Sequence, residues 1–457
     1  MNPNFTRRSW LRGAAGLSAA LAAQSLPFSP LARAAGPAGP VPRHFVFVYF
    51  SGGWDILLSL DPRDPTVFTD AQSAVTRIQP GYDQLVDPTN DGSPIYTPNG
   101  TMFGPYLGDL ANHADKLAVV RGMSMDTLTH EVGRRRFITG KPPSGLLARG
   151  SSAATWLASI LGGDDPVPNI AIRVESYNAD QPNYATGLSV SRVPDLVRAF
   201  RPADPQLDPT VDAVIDSILA ERAECGSAKA SPMLQMAESG RQKARDMASK
   251  GYDALFDFQG KSEAMAALRQ HYGIAATGAA ALDTPEAQAA AAATALTAGI
   301  SRVVSYAAAS GLDTHYDEWT TDHGPIQRRG FNTVARLVED LQAREYGSTG
   351  SSWFDHTIIV GFSEFSRTPM LNTRLGRDHH LNNSCFLLGG PIRGATVIGA
   401  STDVGMLPQP VNLSTGLVDP GGEIIRPEHV LQTLFHDIGV TDDRADLRVG
   451  PIAALLK

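Results

Sequence analysis

The sequence predicts an α/β fold with a largely parallel central sheet flanked by helices. Three observations carry that expectation. Short, almost wholly apolar runs rich in β-branched and aromatic residues recur along the chain, as buried parallel strands require. Between them lie segments with helical spacing, so strands and helices alternate as in βαβ units. The length, 457 residues with 42% hydrophobic and 19% charged, suffices for one large domain with insertions.

The elements follow in order. After a Gly/Pro-rich linker, His44–Ser51 reads as a buried strand broken by Gly52-Gly53, which places Asp55 just past a strand's C-terminal end. Ligands of open α/β sheets bind at that edge. Residues 61–105, rich in Pro, Asp, Gly and Asn, read as a long irregular excursion. A strand at Leu117–Arg121 leads into a helix from Thr129, followed by a helix at Ser151–Leu161 and a strand at Pro168–Val174. From 208 to 298 the composition shifts to Ala, Gln, Glu, Lys and Met with helical spacing, predicting a helical insertion that caps the sheet. Regular alternation then returns: strand Arg302–Ala308, helix Pro325–Ala343, strand His356–Phe362, strand Ser384–Leu388 and helix Pro427–Ile438. The expected organisation is a signal segment at 1–34, a linker at 35–43 and a single domain over 44–457.

Residues 6–12 read Thr-Arg-Arg-Ser-Trp-Leu-Arg, ahead of a short, weakly apolar run and Ala32-Arg33-Ala34. This is the pattern of a twin-arginine export signal, too short to span a bilayer stably. The expected location is periplasmic or secreted, with the translocation machinery as a partner and no stable membrane span in the mature form. Net charge is −8, although residues 1–34 hold four arginines and no acidic residue. So acidic a chain argues against nucleic-acid binding. Two cysteines, Cys225 and Cys385, exclude a Cys-rich zinc site and leave room for at most one disulfide.

Three loops after predicted strands carry carboxylates and imidazoles: Gly52-Gly53-Trp54-Asp55, Gly311-Leu312-Asp313-Thr314-His315, and Ser363-Glu364-Phe365-Ser366-Arg367-Thr368 running on to Arg377-Asp378-His379-His380. Loops after parallel strands share one sheet edge, so Asp55, Asp313, His315, Glu364, Asp378, His379 and His380 are candidate metal ligands. Mixed carboxylate and imidazole donors suit zinc or manganese, one ion or two, as in metal-dependent hydrolysis of phosphate-like esters. Thr129, with His130 behind it, is the candidate nucleophile, since a hydroxyl at a helix N-terminus sits in a field favouring a developing alkoxide. The same hydroxyl could equally be a helix cap. Arg367 is the candidate contact for an anionic substrate.

With the twin-arginine start, these motifs resemble the family known as domain of unknown function 1501, whose members look like distant relatives of the alkaline phosphatase and sulfatase superfamily. Leu117-Ala118-Val119-Val120-Arg121-Gly122-Met123 and Thr129-His130-Glu131 belong to the same resemblance. It implies an alkaline-phosphatase-like fold with Asp55 as a first-strand ligand, Thr129 in the nucleophile's place, Asp313 and His315 on one ion, Glu364 replacing an Asp, and His379 or His380 as the late histidine. The superfamily's usual Asp-His pair appears as Glu364-Phe365, so the second metal site looks thin. The expected function is an exported metal-dependent hydrolase of small anionic phosphate or sulfate esters. The alternative is a non-catalytic exported binding or surface-assembly protein on a degenerate form of the fold.

Overall fold

The computed structural model describes residues 43–202 and 208–457. The export segment expected at 1–34 and nearly all of the linker lie outside the described residues. The strands of the central sheet and of the ribbon beside the site are β1 (His44–Phe50), β2 (Ala118–Ser124), β3 (Asn169–Ile172), β4 (Leu188–Val190), β5 (Val303–Ala309), β6 (Thr357–Phe362), β7 (Ser366–Arg367), β8 (His379–His380), β9 (Asn382–Gly389) and β10 (Thr396–Ile398). Eight of them form one sheet in the order β10-β2-β9-β6-β1-β5-β3-β4, while β7 and β8 make a separate ribbon.

Every residue of β1 is buried, because helices cover both faces of the sheet. Val46, Val48 and Phe50 point into one core and Phe45, Phe47 and Tyr49 into the other, following the two-residue period of a strand. The first core is closed by α5 (Pro285–Thr297) and α6 (Gly324–Ala343), the second by α1 (His130–Thr139), α2 (Ala153–Leu161) and α7 (Pro427–Asp437). Among the described residues no helix is long and apolar enough to cross a membrane.

One feature departs from the sequence expectations. The stretch 208–298 is not one capping layer. Its first long helices, Pro209–Ala223 and Pro232–Ser249, contain no buried residue, whereas α5 is buried from Glu286 to Leu296. The small side chains of the alanine run let α5 lie close against β5 and α6. Alanine favours helix whether or not it is buried, so composition alone does not separate the two situations. Cys225 and Cys385 are both free, the first exposed and the second buried on β9.

Strands β6, β1 and β5 are adjacent and parallel, so the loops after them meet at one edge. Strand β9 runs antiparallel to both β2 and β6. Its N-terminal end therefore lies at the edge where β2 and β6 end, which delivers the loop preceding it to the same place.

Candidate metal centre

Three imidazoles converge on one carboxylate. Asp313 Oδ1, in the loop after β5, lies 3.3 Å from His130 Nε2, 3.0 Å from His315 Nε2 and 3.2 Å from His379 Nε2. One donor atom each from His130, Asp313 and His379 falls within 4.8 Å of the others. The side chains are partly open to solvent, so a small ligand can reach them.

Each ring is braced at its other nitrogen. His130 Nδ1 is 2.8 Å from Glu364 Oε1, His315 Nδ1 is 2.7 Å from Asp378 Oδ1, and His379 Nδ1 is 2.6 Å from the Leu128 carbonyl. Ionised carboxylates and carbonyls only accept, so all three Nδ1 atoms donate and all three Nε2 atoms present a lone pair toward Asp313. Histidines that ligate metals are oriented by this kind of outer hydrogen bond.

Local sequence explains the convergence. Gly52 and Gly53 take positive φ angles, and a Cβ at Gly52 would sit 2.7 Å from the Asp313 backbone nitrogen. Helix α1 approaches the β6 loop closely at Gly133, where a Cβ would meet the Glu364 carbonyl at 2.2 Å. That approach is what lets His130, one turn earlier, reach Glu364. The β7–β8 ribbon pairs His379 with Arg367 and His380 with Ser366. Cross-strand partners share a face, so His379 and Arg367 both look toward Asp313 while His380 looks away.

The fully buried Arg367 guanidinium donates to Asp313 Oδ1 at 2.7 Å and to the Gly53 carbonyl at 2.9 Å, and also contacts the Gly52 carbonyl. Burial by itself would push the Asp313 carboxyl up, but the hydrogen bond from Arg367 and the positive charges around it hold it well below the ordinary range. Burial likewise opposes a charged His130, yet its hydrogen bond to Glu364, with the Glu364 and Asp313 charges, raises its pKa. For His379 burial prevails and keeps the ring neutral more readily.

The structure thus brings together His130, Asp313, His315 and His379, with Glu364, Asp378 and Arg367 around them. Glu364 and Asp378, expected as ligands, brace imidazoles. His130, expected beside the nucleophile, stands among the donors; its signal in sequence is the Thr-His-Glu start of α1. Two expected ligands are elsewhere. Asp55 is completely buried and its carboxylate is held by an ion pair with Arg377 at 3.0 Å, the Trp319 indole at 2.9 Å and the Leu57 backbone N–H at 3.0 Å. His380 is turned to the other side of its ribbon, where burial lowers its pKa to about 4. Sequence reasoning missed Trp319 and Arg377, as well as His323 and Gln327, which bond the Asp55 backbone. A lone Arg at the head of Arg377-Asp378-His379 was the available hint.

Thr129 occupies the N-cap position of α1 with extended backbone, but its side chain makes no capping hydrogen bond. Its backbone N–H is taken by Thr127 Oγ1 at 3.2 Å. The Thr129 hydroxyl is left on an exposed rim between Leu128, whose carbonyl orients His379, and His130.

One turn along α1, Arg134 and Arg135 meet Glu175 and Tyr177 on the neighbouring loop. Burial would raise the Glu175 carboxyl; the hydrogen bonds from Arg134, Tyr177 and Arg135 outweigh it and bring the pKa down to about 2. A carboxyl depressed on folding stabilises the fold above its unfolded value, and that stabilisation fades as pH falls through the folded value. Glu175→Gln should therefore lower unfolding stability at neutral pH by up to about 3 kcal/mol. The difference should vanish between about pH 5 and pH 2 in urea unfolding at a series of pH values. A deficit independent of pH would contradict the ion-pair account.

Among curated proteins, none matches the sequence. Solved structures to which the chain shows similarity include a sulfatase from Pseudoalteromonas sp., 12% identical with a TM-score of 0.38, the match covering 91% of this chain and 72% of that one. Another belongs to the locus for metabolism of multiple glycosaminoglycans in Bacteroides thetaiotaomicron, 9% identical with a TM-score of 0.34, covering 90% and 76%. The family model described as "Protein of unknown function (DUF1501)" matches residues 42–415, a span that takes in every residue of the His130–Asp313–His315–His379 cluster, and the chain belongs to that family.

Proposed function

We propose that the chain is an exported hydrolase of phosphate or sulfate esters that depends on a divalent transition ion held by Asp313 with His130, His315 and His379. The observation that carries the reading is the convergence of three Nδ1-braced imidazoles on one carboxylate. The donor set fits a cation on two further counts. His130 Nε2 is buried with no hydrogen-bond partner. His315 Nε2 and His379 Nε2 face each other at 3.0 Å, and with both Nδ1 atoms donating, the two lone pairs repel unless a proton or a cation lies between them. Three nitrogens and a carboxylate oxygen are a donor set for zinc, with manganese also served.

A divalent ion there would polarise an ester oxygen and make a neighbouring hydroxyl or water easier to deprotonate. Arg367 fixes the Asp313 carboxylate and adds a permanent positive charge that favours an anionic ester in the same pocket. Thr129 supplies the hydroxyl: it exchanges its proton for the phosphoryl or sulfuryl group, releases the alcohol, and water then restores the threonine. Because the hydroxyl makes no cap bond, Thr129→Ala should cost less stability than the ~1 kcal/mol typical of a lost cap.

The test is turnover of an aryl phosphate and an aryl sulfate, with metal content measured on the same samples. Thr129→Ala is expected to lose most turnover at unchanged metal content, and Thr129→Ser to keep much of it. A purified protein that cannot be loaded with zinc or manganese would overturn the reading. Full activity of the loaded Ala variant would leave water as the nucleophile.

A further inference from the structure

The helix Pro209–Ala223, here α3, and the helix Pro232–Ser249, α4, form a hairpin whose ion pairs and apolar residues are arranged in an unusual way. Asp212 of α3 is held by Arg245 of α4 at 2.7 Å through both nitrogens of the fork. Asp216 is held by Arg241 and by Arg245 Nε at 3.1 Å. The charged face of α3 is thus turned inward to its neighbour. The opposite face carries Val211, Val214, Ile215 and Ile218, exposed by 49%, 42%, 40% and 52%. Their spacing of three, four and seven residues makes a single continuous stripe. Valine and isoleucine are weak helix formers, so on a solvated helix they contribute neither propensity nor packing.

We propose that this stripe is an interface at which two copies of the chain pair antiparallel, α3 against α3. What selects a second copy is charge register. A two-fold axis between Val214 and Ile215 sets Val211 of one copy against Ile218 of the other and each Val214 against an Ile215. At 1.5 Å of rise per residue, Arg222 then lies level, within about 2 Å, with Asp208 of the second copy. Both residues fall on the stripe's own side of the helix and on the same flank of the axis, so two Arg222–Asp208 pairs close the ends of the stripe. Arg222 has no ion-pair partner within the chain among the described residues, and Asp208, whose carboxylate accepts from Thr210 N–H at 2.8 Å as the helix cap and from the Thr210 hydroxyl and Val211 N–H, has no cationic partner there either. Self-complementary contacts of this kind are the property of a two-fold interface. A single helix pair is small by the standard of stable dimers, so the pair should separate on dilution.

Sedimentation velocity of the purified protein over a concentration series tests the proposal. Twice the chain mass is expected at high concentration and the single chain mass on dilution. Ile215→Glu, at an exposed position that leaves the fold intact by circular dichroism, should raise the dimer dissociation constant at least about a hundredfold, since each dimer would bury two carboxylates. Asp208→Asn, which keeps the cap acceptor, and Arg222→Gln should each weaken the dimer several-fold. The double variant should be no weaker than either single one, because the pair is already broken. A chain that stays monomeric at every concentration, or a dimer indifferent to Ile215→Glu, overturns the interface. Fully additive effects of the two charge variants overturn the antiparallel register.

Discussion

Asp313→Asn should abolish metal binding. Asp313 is the point on which the three Nε2 atoms meet and the only anionic donor among the four. Losing an outer hydrogen-bond partner of a metal ligand costs roughly 10–100-fold in affinity, and loss of the central anionic ligand should exceed that range. Charge adds to the effect. With an amide at 313, the buried Arg367 guanidinium would face the cation with no carboxylate between them. The fold should survive, because Arg367 keeps the Gly52 and Gly53 carbonyls as acceptors. The measurements are metal content after reconstitution, competition against a chelator of known affinity, and circular dichroism. An Asp313→Asn protein that loads as the parent does would remove this cluster as the binding site.

Asp55→Asn should have the largest effect on stability and none on metal content per folded chain. The Asp55 and Arg377 side chains are both 0% exposed. The Arg377 guanidinium is otherwise tied to the carbonyls of Thr368, Gln79 and Pro80 and lies over the Trp319 ring. It cannot move to water when its counter-charge is removed. Breaking one side of a buried ion pair typically costs about 3–5 kcal/mol. Trp319 and Leu57 donate to different oxygens of Asp55, so the asparagine keeps an acceptor for only one of them and a lost hydrogen bond adds to the unpaired charge. Denaturant unfolding gives the stability, and elemental analysis of the remaining folded protein gives the metal. A variant of normal stability that has lost its ion would make Asp55 a ligand and reverse the structural account.

These two aspartates mark the limit of what the sequence could say. Both follow predicted strands and both reach the expected sheet edge, because an apolar run ended by a Gly-rich turn determines where a loop emerges. Which way a carboxylate then points is decided by partners that arrive from elsewhere in the chain. For Asp55 these are Trp319 and Arg377, more than 260 positions away; for Asp313, Arg367 and three histidines. The strand–helix alternation was legible because buried parallel strands are apolar along their whole length. The reversed direction of β9 was not, since strand direction is set by pairing and leaves no mark on composition. That reversal is what brings His379 to the cluster. The opposite orientation of His380 needed the register of the β7–β8 ribbon, and the capping role open to Thr129 needed knowledge that Thr127 already serves the local backbone.

The donors of the cluster come from the start of α1, the turn after β5 and the strand before β9, and the brace between Leu128 and His379 joins positions 251 residues apart. The donors are spread from position 130 to position 379 and no local segment contains the set, so an ion held there recognises the native state and has little affinity for the unfolded one. Its binding energy is then added to folding: at free metal a thousandfold above the dissociation constant, the native state gains roughly 4 kcal/mol. Under the proposed metal binding, the ambient supply of the ion joins the contacts within the chain in setting the folded fraction.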